Sequence, residues 1–190
     1  MEDQLMEIPT ETRVGSYLSE KEAKRYFRLR EAFFEFVRLF DYSEASDRAV
    51  AVVGPAYLDT LLYETLVSFF IDEESEVNKL LRPDGSLGKF GSRVTACYCL
   101  GLIGDIVKKD LQLVGKIRNR FAHDLSAQFS DPQISSYCRA LRWHRELLPD
   151  PPPGATDRDL FQVGVNQLVC HLEVLPSIAR FDKRVKKEYC

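Results

Sequence analysis

Between Ala45 and Ile71 the residues Val50, Val53, Tyr57, Leu58, Leu61, Leu62, Leu66, Phe69 and Phe70 almost encircle a helix drawn through them. A helix apolar nearly all round needs neighbours on every side, so this segment is the expected central rod of a helical bundle. Pro55 lacks an amide proton and crowds the turn before it, which predicts a kink or a junction between two helices near Val53 and Gly54. Asp59, Tyr63 and Glu64 are polar residues on the same rod. Buried carboxylates require partners, and Arg93, in an apolar helix one turn after Phe90, is a cation able to reach the same polar centre.

The rest of the chain reads as helices around that rod. Ser19 and Glu22 form a capping-box pattern, and Tyr26, Leu29, Phe33, Phe36, Val37 and Phe40 follow at helical spacing, predicting a helix over 20–40. Its Lys21, Lys24, Arg25, Arg28 and Arg30 are interleaved with Glu20, Glu22 and Glu31, the pattern of a solvated face rather than a nucleic-acid surface. Arg82 to Gly88 has the proline and glycines of a tight turn, and helices are expected over 89–102 and 105–123. Asp131-Pro132 opens a further helix towards Leu147. Pro149 to Gly154 is an extended connector, and Thr156 with Asp159 restarts a helix running to about Phe181. Arg180, Lys183, Arg184, Lys186 and Lys187 then suit the negative pole of that helix. No segment alternates with period two, and no repeat is visible. The expectation is an all-α, single-domain helical bundle of about six to eight helices. It has an N-terminal extension (1–18), a helical domain (19–184) with a proline-rich connector (149–155), and a basic C-terminal tail (185–190).

Composition narrows the function. A chain of 190 residues with 45% hydrophobic and 29% charged residues has the make-up of a soluble globular protein. A net charge of −3 and a pI near 5.7 argue against a protein that grips duplex DNA through many phosphates. The five cysteines, Cys97, Cys99, Cys138, Cys170 and Cys190, are scattered and odd in number, as reduced thiols of a cytosolic protein are. Cys97-Tyr98-Cys99 is too close for the usual zinc spacing, so no metal and no cofactor is expected. The acidic start Met1-Glu2-Asp3 does not resemble a signal peptide, and the longest apolar run, Ala49 to Leu58, is too short to cross a membrane. A cytoplasmic protein is expected.

The stretch Lys116-Ile117-Arg118-Asn119-Arg120-Phe121-Ala122-His123 carries the densest chemistry. Arg is always charged and presents a fork of donors to phosphate oxygens, while His exchanges protons near neutrality. Five residues on an unbroken helix separate Arg118 from His123 by about 140° of rotation, whereas Asn119 and His123 share a face. One active surface therefore needs either a helix that ends or bends before His123, or two copies completing one another. In the structural alternative His123 ends the helix, Asn119 bonds a neighbouring turn, and Arg118 pairs with Asp59 or Glu64. His144 and His171 have no accompanying ligand or triad residues.

Three blocks together resemble the mannitol operon repressor family of all-helical bacterial proteins. They are Ala51 to Leu62, with Val53-Gly54-Pro55 at its centre; Pro83 to Arg93, continuing to Leu100-Gly101-Leu102-Ile103; and Lys116 to His123. Gly91 stands where that pattern has a small hydroxyl residue. The resemblance spans about residues 45–145, with Phe161 to Leu175 similar to the family's last helix. It implies a regulator of gene expression that acts through a protein partner. No helix-turn-helix, zinc spacing or basic zipper is visible, and direct duplex binding is not expected. The third block also resembles, more remotely, the HEPN (higher eukaryote and prokaryote nucleotide-binding) superfamily of helical bundles. Many of its members carry Arg, a polar residue, a gap and His, and several are metal-independent ribonucleases. That resemblance implies a HEPN-like bundle with RNA as a partner; a homodimer is expected only where two copies complete one another's sites. His123 would then accept the ribose hydroxyl proton, Arg118 would stabilise the phosphate, and Asn119 would orient one of them.

Overall fold

A computed structural model describes residues 19–40, 45–143, 145 and 153–188. The expected N-terminal extension (1–18), most of the proline-rich connector, His144, the stretch to Leu147 and Cys190 lie outside them. The fold is an all-α helical bundle. Among the described residues there are helices α1 (Glu20–Leu39), α2 (Asp47–Phe69), α3 (Glu74–Leu81), α4 (Phe90–Cys99), α5 (Asp105–His123), α6 (Pro132–Ala140), α7 (Asp157–Glu173) and α8 (Leu175–Phe181), with no strand. The chain divides into two compact units, Met1–Glu35 and Phe36–Cys190.

In the first unit the predicted cap on α1 is formed. The Ser19 amide and hydroxyl donate to Oε2 of Glu22 at 2.9 and 2.7 Å. Lys24 pairs with Glu20 one turn earlier at 2.6 Å, an exposed contact of small energetic weight.

In the second unit α2 is the rod that its pattern requires. Val50, Leu58, Leu61, Leu62 and Leu66 are fully buried, and α2 packs on α4, α5, α7 and α8. Among the described helices α2 alone has the length and apolarity to cross a membrane, and that apolarity is used against the bundle. Ser46 caps its start by accepting from the Ala49 amide at 3.2 Å. The helix continues through Gly54-Pro55, so no junction forms there; Ala51 merely loses the amide donor that Pro55 lacks. Phe36 stacks on Phe40 and on Tyr57, with centroids 4.9 and 4.8 Å apart, closing one side of α2. Tyr57 donates to the Glu173 carboxylate of α7, and burial first, that bond second, pushes its hydroxyl pKa upward.

Four boundaries differ from the sequence reading, each for a local reason. Helix α3 is added: it is short, acidic in its first turn, and buries only Val77 and Leu81 one turn apart. Helix α4 stops at Cys99 instead of Leu102, because Gly101 at φ 73° turns the chain in a Schellman cap with Leu102 N–H on Cys97 O at 2.9 Å. Helix α6 ends at Ala140, short of Leu147, because the Leu141 amide tightens onto Cys138 O and the Asp110 carboxylate captures the amides of Arg142 and Trp143. The last helix is two helices, since Pro176 cannot donate to Leu172. The basic C-terminal end also differs. Lys183 pairs with Asp72 at 2.7 Å, Lys186 with Glu73 at 3.1 Å, and the Arg184 amide bonds the Phe69 carbonyl at 2.8 Å. These three fasten the segment after α8 across the exit of α2, while Arg180 lies in the last turn of α8, as expected for its negative pole.

Candidate functional site

The polar centre expected on α2 is built around Arg93. The Arg82–Gly88 turn is tight: Leu87 N–H returns to Leu80 O at 2.8 Å, and a Cβ on Gly85 or Gly88 would strike the carbonyl oxygens of Leu80 and Arg82. That reversal aims two carbonyls at α4. Arg93, only 8% exposed, donates Nε to Leu87 O and Nη2 to Leu81 O, both at 3.0 Å. Its Nη1 lies 2.7 Å from Oδ1 of Asp59, and its guanidinium stands over the Tyr63 ring at 5.3 Å. One planar fork thus ties α2, the end of α3, the turn and α4 together. Glu64 is buried on α2 at 4% exposure.

The motif on α5 is placed differently. The helix is continuous to His123, its last residue, so Arg118 and His123 point about 140° apart and one chain does not bring them onto one surface. Arg118 does not pair with Asp59 or Glu64. Its guanidinium faces the Phe90 ring at 5.9 Å, and its buried Nε has no hydrogen-bond partner among the described residues. Phe90 in turn lies on Gly115, where a Cβ would come within 3.2 Å of the ring. Asn119 and His123 are exposed.

What holds this end of α5 is Arg48, which the sequence reading passed over. From the first turn of α2 it donates to the carbonyls of Phe121, Asp124 and Leu125, the last two at 2.9 Å. A cation on the last carbonyls of a helix is favoured by their partial negative charge. Asp124 accepts from the hydroxyl and amide of Ser126 at 2.7 and 2.9 Å, which holds its carboxyl below the usual range. The end that presents His123 is therefore a fixed one.

Asp110 is a second residue that sequence alone did not single out, its signal being only a carboxylate on the core face of α5. It is 1% exposed and accepts from the amides of Arg142 at 2.9 Å and Trp143 at 2.7 Å, just past the end of α6. Burial pushes its carboxyl up, and the bonds from Trp143 and Arg142 pull it back only in part. A raised value means that the folded chain holds the proton more tightly. The group's stabilising contribution is therefore greatest below the ordinary carboxylate pKa of about 3.9 and is lost as pH rises through the folded value. Asparagine keeps one acceptor and cannot titrate. The stability advantage of wild type over Asp110→Asn in urea should therefore be larger at pH ~4 than at pH ~7. A gap that is flat, or widens towards neutrality, rules this account out.

The described cysteines are free thiols. Burial pushes the Cys97 and Cys138 thiols up to about 12, so neither supplies a thiolate at neutral pH. His171 lies against Trp143 with ring centroids 4.6 Å apart, and burial lowers its pKa. No group of three His, Cys, Asp or Glu side chains among the described residues is arranged to hold a metal.

No protein-family model and no curated protein sequence matches this chain. Among solved structures it is similar to the X-ray structure of the MtlR-HPr complex from Escherichia coli. The TM-score is 0.53 and the identity 22%, over 78% of this chain and 98% of that one. The likeness is one of fold: this all-helical chain has an MtlR-like architecture spanning nearly the whole of its neighbour.

Proposed function

We propose that this chain is a mannitol operon repressor-like bacterial regulator that works in the cytoplasm through a protein partner rather than by reading duplex DNA. The observation that carries the reading is the fold it shares with nearly all of a chain solved in a complex with a second protein, HPr. The three sequence blocks agree with it, and the net charge of −3 opposes a DNA-gripping surface. The partner expected on this reading is HPr from the same bacterium. Calorimetric titration of the two purified proteins should give a dissociation constant of about 100 μM or tighter, and promoter DNA should show no mobility shift. A sequence-selective shift by the protein alone would overturn the regulatory mechanism, and absence of any heat with HPr would remove HPr as the partner.

A second reading is favoured by Arg118, a half-buried cation whose Nε has no hydrogen-bond partner among the described residues, on the same helix end as the exposed Asn119 and His123. It is a HEPN-type, metal-independent endoribonuclease. Because α5 is unbroken to His123, that chemistry requires a homodimer in which Arg118 of one copy meets His123 of the other. Cleavage of a labelled RNA pool in chelator by wild type, lost in folded His123→Ala and Arg118→Ala, would establish it. Cleavage equal in all three proteins, or absent in all, discards it.

A further inference from the structure

A groove of about 310 Å³ runs beside the middle of α5, between it and the turn that follows α6. Its wall on α5 is Ile106, Lys109, Leu113 and Lys116, and Arg142 closes the far side. We propose that this groove binds a small organic phosphate monoester, its phosphate held by the lysines and its body lying over Ile106 and Leu113.

Charge is the first support. Lys109 and Lys116 are exposed, and neither has an ion pair among the described residues; Lys116 only stands over the Tyr137 ring at 5.3 Å. The one carboxylate lining the groove, Asp110, is 1% exposed, with both oxygens engaged by the Arg142 and Trp143 amides. It is therefore committed to the backbone and is a poor counter-ion for the lysines. A cationic groove in a chain whose net charge is −3 is a local reversal of sign, which attracts an anion to that place in preference to the rest of the surface.

Spacing is the second. Residues i and i+7 lie on one face, two turns or about 10.5 Å apart along the axis, so the lysines bracket the groove from end to end. Ammoniums on flexible stems can converge on one phosphate or divide between a phosphate and a second polar end. The volume is at the small end of ligand sites, the size of a sugar phosphate rather than a dinucleotide.

Trp143 is the only tryptophan in the chain, and its amide is bonded to Asp110 on the groove wall, so its fluorescence is a built-in reporter. The experiment titrates the full chain at low salt with glucose phosphate, inorganic phosphate and a short single-stranded RNA, repeated by calorimetry so that a silent fluorophore does not mimic absence of binding. Saturable binding of glucose phosphate is expected, with inorganic phosphate at least about fivefold weaker. The exposed pair Lys109→Gln/Lys116→Gln should raise the half-saturation concentration at least about tenfold without changing the melting temperature. No saturation below about 10 mM, or the same affinity in the variant, would overturn the proposal. So would inorganic phosphate binding as tightly as the ester, and so would RNA binding without the ester, which would make the groove part of a nucleic-acid surface.

Discussion

Arg93→Met is expected to lower the unfolding free energy by about 2–5 kcal/mol, chiefly by taking the donor away from two backbone carbonyls. The substitution keeps much of the side-chain volume, so the loss is electrostatic and hydrogen-bonding rather than a cavity. It leaves the Leu81 and Leu87 carbonyls without their donor and Asp59 Oδ1 without its cation. A buried acceptor left unmade costs about 1–3 kcal/mol, more for the buried Leu81 carbonyl than for the part-buried Leu87 one, so the two together reach the lower end of that range. Asp59 is about one-third exposed, at 32%, and its share is correspondingly small. Adding Asp59→Leu should therefore restore only about 1 kcal/mol. Arg93→Lys should recover little, because one ammonium cannot reproduce a planar fork aimed at separate acceptors. Urea denaturation checks all three. A single-variant loss under about 1 kcal/mol would mean that the turn and α4 are held by apolar packing instead.

This polar centre shows how far pattern reading reaches. Asp59 and Arg93 were identifiable because charged residues on apolar helices need partners, a rule that works without knowing the geometry. The partner of Arg118 was not identifiable, because choosing between Asp59, Glu64 and none depends on rotations and distances that spacing does not contain. Arg48 and Asp110 were invisible for the same reason. Each serves backbone groups more than seventy or thirty residues away, and backbone leaves no mark in a sequence. Asp110 also hid the end of α6: the periodic pattern continued, but a carboxylate from α5 had claimed the amides of Arg142 and Trp143.

The long helices α1, α2 and α5 were legible because a 3.6-residue stripe sustained over several turns has no competing interpretation. Helix α3 was not, since two buried residues cannot establish a period. The break before α8 was written in the chain as Pro176, but an apolar stripe from Phe161 to Ile178 outweighed it. Pattern and breaker conflicted there, and the breaker prevailed because a missing donor is absolute whereas a stripe can be continued by a second helix at a slightly different angle. The motif at Arg118, Asn119 and His123 was located correctly on α5, and the unbroken helix turned its chemistry into a question about a second copy.

Gly54→Ala is expected to destabilise the fold by about 2 kcal/mol even though alanine is the better helix former by about 1 kcal/mol. The glycine sits mid-helix in α2, where intrinsic preference alone would favour the substitution. Its missing Cβ, however, is the space into which two neighbours pack: an added carbon would lie 2.7 Å from Cε2 of Phe40 and 2.8 Å from Cγ1 of Val165. Neither neighbour can retreat freely. Phe40 is stacked on Phe36, which is stacked on Tyr57, and Val165 is fully buried on α7. Relief requires α2 and α7 to separate, an overpacking penalty of about 3 kcal/mol that exceeds the propensity gain. In a Phe40→Leu background the ring atoms are gone, so the cost of Gly54→Ala should fall by about 1 kcal/mol in a double-mutant cycle, the rest remaining with Val165. Gly91→Ser is the control. Nothing lies within 4 Å of its added carbon, and the variant should be as stable as wild type or slightly more so. If Gly54→Ala proves neutral, then α2 and α7 tolerate a wider crossing, and the Val53-Gly54-Pro55 block owes its composition to the proline rather than to close approach.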